Sequence, residues 1–287
     1  MNYAEIALQF ACEGETLTAI AAIPAQPATR GVLVVVGGPQ YRAGSHRQFT
    51  LLSRALAADG FAVLRFDYRG MGDSSGAMRD FEDVDADLRA AIDQFYVTVP
   101  GLKDVVIWGL CDGASAAMFY AERDPRVAGL VMLNPWARSE QGLAKATLKH
   151  YYLSRLRDPA LWKKIASLQF NYAGAASSLG GMLRKAFRSG GASANKTGGT
   201  ADHKPSFHVR MREGLLRFRG RGLFIISGAD LTAKEFLDMA GGSREWRSVL
   251  AAPAMARETL DDADHTFSRR AWRDQVAGWT SQWLRSW

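Results

Sequence analysis

The chain has 287 residues, 47% of them hydrophobic, enough for one large α/β domain with an insert or for two small domains. Two cysteines, Cys12 and Cys111, exclude a disulfide framework and fit a reducing compartment. The net charge of +7 is uneven, because residues 138–221 hold 17 Lys and Arg against 4 Asp and Glu. Glu5 to Cys12 and Thr16 to Ile23 flank Glu13-Gly14-Glu15 and read as a hairpin. Gly31 to Val36 is a buried strand broken by Gly37-Gly38-Pro39-Gln40. His46 to Ala58 carries apolar residues at helical spacing. Phe61 to Phe66 is the next strand and runs into the polar loop Asp67 to Ser74, followed by a helix over Val84 to Tyr96. Val105 to Trp108 is a strand, Ala114 to Glu122 a helix, and Gly129 to Leu133 a strand ended by Asn134-Pro135.

The strand–helix alternation then stops. Residues 136–219 read as an inserted, mainly helical, basic cap, with helices over Ala144 to Leu156 and Leu161 to Leu168. Residues 189–200 lack apolar side chains to bury and read as flexible. The alternation resumes with a strand over Gly222 to Ser227 and a short helix over Ala233 to Met239. A weak strand over Arg257 to Leu260 and a closing helix over Ala271 to Trp287 follow. Residues 1–135 and 220–287 therefore form the core: a mostly parallel sheet with helices on both faces.

Gly109-Leu110-Cys111-Asp112-Gly113 follows the Val105 strand and opens a helix, the spacing of a nucleophile elbow with Cys at its centre. A buried structural cysteine in a glycine turn fits those five residues equally well. Asp230 and His265 separate the two readings. Each lies in a loop at or beyond a strand end, and the chain order nucleophile, acid, histidine gathers all three at the carboxyl edge of the sheet. Cys111 would attack an acyl carbon, His265 would move the proton, and Asp230 would orient the imidazole. Asp261, Asp262 and Asp264 compete for the last role.

An acyl intermediate also needs two oxyanion donors. The Asp112 N–H is one, and Pro39 has no N–H, so Gln40 is the expected second, with Gly38 as the alternative. Tyr41, Arg42 and His46 flank that loop as candidates to line the pocket or grip an anion. The glycine-rich loop after Phe66 lacks a dinucleotide or phosphate fingerprint and reads as structural, with Arg69 in ion pairs. No His, Cys or carboxylate cluster has metal-ligand spacing, so neither metal nor cofactor is expected.

The elbow, Phe66-Asp67-Tyr68-Arg69-Gly70-Met71-Gly72-Asp73-Ser74 and the Asp230/His265 pair together resemble the α/β-hydrolase superfamily. Val36 to Phe49 resembles, more narrowly, the hydrolase 1 family associated with the exosortase A system, and the Cys elbow agrees. The resemblance implies a bacterial cytoplasmic hydrolase linked to exopolysaccharide production and exosortase-dependent sorting.

The combined expectation is an acyl hydrolase for an ester or thioester, working through a covalent thioester on Cys111. Acyl transfer by the same chemistry is one alternative. A non-catalytic scaffold whose basic cap meets anionic lipid or polysaccharide is another. A small acyl substrate is expected as partner and nucleic acid is not, since no recognised module appears. The first eleven residues include Glu5 and no basic flank, and no apolar stretch reaches the ~18 residues of a spanning helix. A soluble cytoplasmic protein is expected.

Overall fold

Glu13 and Gly14 both adopt positive φ (46° and 85°) and turn the first strand back on itself. The resulting hairpin joins β1 (Tyr3–Cys12) and β2 (Glu15–Pro24), as the sequence indicates. The computed structural model describes residues 2–38, 40–137 and 206–287. Beyond the hairpin come β3 (Arg30–Val35), β4 (Ala62–Asp67), β5 (Asp104–Leu110), β6 (Val127–Leu133), β7 (Arg221–Ser227) and β8 (Met255–Leu260). They form one eight-stranded sheet in the order β1-β2-β4-β3-β5-β6-β7-β8. β2 meets β4 antiparallel, and every pairing from β4 to β8 is parallel.

The apolar runs explain this order. Val32 to Val35 and Val105 to Ile107 are fully buried, as strands covered on both faces must be. β1 and β8 keep partly exposed, alternating patterns and form the two edges. Helices α1 (Gln48–Ala58), α2 (Asp85–Thr98) and α3 (Asp112–Tyr120) connect the central strands. After residue 205 come α4 (Phe207–Arg217), α5 (Leu231–Gly242), α6 (Arg244–Leu250) and α7 (Arg270–Arg285). α1 packs with α7, and α2 with α3. This is the α/β-hydrolase fold, with all five parallel sheet pairings running toward one carboxyl edge.

Two elements depart from the sequence reading. α6 goes unpredicted because it is only seven residues long, between Gly241-Gly242 and Ala251-Ala252-Pro253. Ser243 caps it by accepting from the Trp246 N–H at 3.3 Å, and Trp246 is buried edge-on against Phe236. α4 falls inside the segment read as cap, yet it belongs to the compact unit of residues 1–137 and 205–287. Its Met211 and Leu215 are buried, and Gly214 lets it come down on the Met118 carbonyl of α3. The helices expected over 144–156 and 161–168 and the flexible run at 189–200 lie outside the described residues. Among the described residues, no helix is long and apolar enough to cross a membrane.

Candidate active site

Cys111 stands between the end of β5 and the start of α3 with φ 59° and ψ −126°, a conformation that a side chain adopts only under constraint. The constraint is built from backbone. Cys111 N–H donates to the Leu133 carbonyl at 2.9 Å, and the Cys111 carbonyl accepts from Ala114 N at 3.1 Å and Trp136 N at 3.1 Å. Both flanking glycines are required. A Cβ on Gly109 would lie 2.6 Å from the Ala114 nitrogen, and one on Gly113 would lie 2.6 Å from the Val35 carbonyl oxygen. The turn therefore lifts a half-buried thiol to the sheet edge, at the amide end of α3.

Asp230 and His265 converge on the same edge. Asp230 caps α5, accepting from Thr232 N at 3.1 Å and Ala233 N at 3.0 Å. Its Oδ2 lies 2.7 Å from His265 Nδ1. The carboxylate is thus fixed by two amides before it meets the ring, and it is 7% exposed. Burial alone would lower the His265 pKa. Hydrogen bonds and charge from Asp230 and Cys111 outweigh it and hold the imidazole up to about 10. Cys111 and Asp230 therefore act on one ring, and Nδ1 is taken by Asp230, which leaves Nε2 for the sulfur. Asp264, one of the competing acids, instead closes its own loop on the Ser268 hydroxyl and on the amides of Thr266 (3.2 Å) and Ser268 (3.0 Å). Among the described residues, Asp230 and neither Asp261 nor Asp262 is the carboxylate hydrogen-bonded to the ring.

A residue missed from sequence holds this arrangement. Asn134, fully buried with φ 42°, follows β6. Its Oδ1 accepts from Ser227 N at 2.8 Å, and its Nδ2 donates to Ser227 Oγ at 2.8 Å and to the His265 carbonyl at 3.0 Å. Ser227 Oγ in turn donates to the Asp264 carbonyl at 2.9 Å. One amide side chain thereby ties the ends of β6 and β7 to the histidine loop. The only sequence signal is an Asn before Pro at a strand end, where left-handed backbone suits Asn. Asn134→Asp keeps the backbone preference and the acceptor but loses both donated bonds. We expect a loss of about 1–3 kcal/mol in urea unfolding, with kcat lowered more than KM is raised.

The loop after β3 divides its candidates. Gly38 N–H donates to Asp112 Oδ1 at 2.5 Å. The Gln40 carbonyl side chain faces its own loop, 3.4 Å from Ser45 N and from Gln48 Nε2. Tyr41 is half exposed. The Arg42 guanidinium is engaged by the fully buried Asp67 and, at 2.6 Å, by Asp73. His46 has φ 51° and lies within charge reach of Asp264, beside the histidine loop. Arg69 is held by Asp87 at 2.8 Å and by Glu13, the structural role read from its loop. Among the described residues, no cluster of His, Cys and carboxylates is arranged to hold a metal ion.

Solved structures share this fold. The esterase Pf2001 of Pyrococcus furiosus superimposes with a TM-score of 0.65 at 14% identity, covering 99% of this chain and 93% of that chain. A dienelactone hydrolase of Anabaena variabilis gives a TM-score of 0.61 at 15% identity, covering 99% and 98%. Est1E of Butyrivibrio proteoclasticus, solved with ferulic acid, gives 0.60 at 13% identity, covering 96% and 97%. No curated protein matches by sequence. The family model described as serine aminopeptidase, S33 matches residues 27–172, just over half of the chain. That family is named for a serine, whereas the residue at the elbow here is Cys111. The chain belongs to the serine aminopeptidase, S33, family of α/β-hydrolases.

Proposed function

We propose that this hydrolase cleaves a carboxylic ester or thioester through a Cys111–His265–Asp230 triad. The observation that carries the reading is one imidazole bonded to Asp230 at 2.7 Å through Nδ1 while Cys111, on a strained elbow, acts on the same ring. Neighbours in fold that are named as esterases and as a dienelactone hydrolase support an acyl carbon as the target.

The chemistry follows from the charges. His265 holds the proton that leaves Cys111 as the sulfur attacks, and Asp230 stabilises the charged ring. The thiolate attacks the acyl carbon, and the carbonyl electron pair moves onto oxygen. The Asp112 amide is one donor to that oxyanion. The Gly38 amide, which points to the head of α3, is better supported as the second donor than Gln40. Collapse expels the alcohol or thiol, which takes the proton from His265. Water then gives a proton to the neutral imidazole and attacks the thioester, releasing the acid and returning the proton to the Cys111–His265 pair. Asp230 keeps Nδ1–H in place throughout. Tyr41 and His46 line the approach to the cleft.

The narrower resemblance of residues 36–49 extends the proposal to a cytoplasmic role beside bacterial exopolysaccharide and exosortase systems. The direct test is a p-nitrophenyl short-chain ester with phenolate release and intact mass measured together. Turnover with an acyl adduct on Cys111 is expected. No release and no adduct across ester and thioester panels would overturn the proposal.

A further inference from the structure

The triad leaves the Asp112 side chain unexplained. It is the first residue of α3, directly after the nucleophile. Its Oδ1 takes the Gly38 N–H at 2.5 Å. An elbow offers an oxyanion the amide after the nucleophile and one amide from the loop after β3. Pro39 can contribute none. The amide of that loop expected to receive a substrate oxyanion is therefore already bonded to a carboxylate. The space is shaped around it as well, since a Cβ on Gly37 would run into Asp112 Oδ1.

We propose that the Asp112 carboxylate is a built-in occupant of the oxyanion cradle, which substrate must displace before Cys111 can be acylated. The inference rests on the reading of Cys111 as an acyl nucleophile. The occupant is held less firmly than a salt-bridged carboxylate would be. Desolvation raises its pKa above the usual carboxylate range against the pull of the Gly38 amide, and the nearby Asp80 adds to the rise. A carboxylate with a second acid nearby is easier to expel than one paired with a cation. The competing role is a clamp that only pins the Gly38 loop to α3.

The two roles differ in sign. Asp112→Ala empties the cradle, and Asp112→Asn keeps an acceptor of the same shape without the charge. Cys111 alkylation by iodoacetate and by neutral iodoacetamide is followed by intact mass, with folding checked by circular dichroism. An occupied cradle predicts that the iodoacetate-to-iodoacetamide rate ratio rises about tenfold in Asp112→Ala and less in Asp112→Asn. The rise should persist at ~0.5 M salt, where simple repulsion is screened. Acylation by a neutral p-nitrophenyl ester should speed up several-fold in Asp112→Ala.

An unchanged ratio in both folded variants overturns the proposal. So does a rise that salt abolishes, or a ratio shift accompanied by slower ester acylation. If Asp112→Ala does not fold, the salt-resistant shift in Asp112→Asn decides alone. Failure of the triad reading looks different: neither wild type nor variant would form an ester adduct, while the alkylation ratio would still report whether the Gly38 amide was occupied.

Discussion

Cys111→Ala is expected to abolish ester turnover, by about 10⁴-fold or more, and to remove the acyl adduct from the mass spectrum. Cys111→Gly should be equally inactive yet more stable than wild type by about 1–2 kcal/mol, because φ 59° and ψ −126° are costly for a side chain and open to glycine. Cys111→Ser restores the residue for which the family is named, and it should still be slow near neutral pH. Serine must surrender its proton to a neutral imidazole, and the bond to Asp230 works against that neutral form by holding the ring's pKa up. Its residual rate should climb as pH rises and His265 becomes neutral. Thermal melts and ester assays on the three variants test both halves. A glycine variant less stable than wild type would show that the elbow is unstrained, and an alanine variant with full turnover would move the nucleophile elsewhere.

The parts of this site that were legible in the sequence are those governed by short-range rules. Gly109 and Gly113 around Cys111, after four apolar residues, announce a strand, a sharp turn and a helix. Asp230 and His265 are 35 residues apart but lie beyond the ends of a plainly apolar strand and a weaker one, so their convergence follows from a parallel sheet. What stayed hidden depends on partners far along the chain. Asn134 meets Ser227 across 93 residues, and the Gly38 amide meets the Asp112 carboxylate across 74. Arg42 looks available for a substrate anion until the fold delivers Asp67 beneath it. α6 was hidden for a different reason. Seven residues give too few turns for an apolar period, and its one strong cue is the Ser243 cap.

Asp230→Asn is expected to lower kcat/KM by about 10³–10⁴-fold while leaving the fold intact. Asparagine keeps an oxygen for the Thr232 amide, the usual single N-cap bond, so the start of α5 survives with the Ala233 bond lost. The bond to the ring does not, since an amide NH2 facing Nδ1 turns that nitrogen into an acceptor. The imidazole proton then moves to Nε2, the wrong tautomer to take a proton from water. The same substitution alters how stability depends on pH. His265 is raised from its ordinary 6.5 to about 10 in the folded protein, with the Asp230 bond and charge among the causes. A raised histidine stabilises the fold fully below about pH 6.5, where both states carry the proton, and the contribution fades as pH climbs toward 10. Wild type should therefore exceed Asp230→Asn in unfolding free energy by most at about pH 6, and the gap should shrink steadily to about pH 10. Urea titrations across that range measure it. A gap that stays constant with pH would mean that the proton held by the fold is not on His265, and the proton transfer assigned to Cys111 and His265 would lose its physical basis.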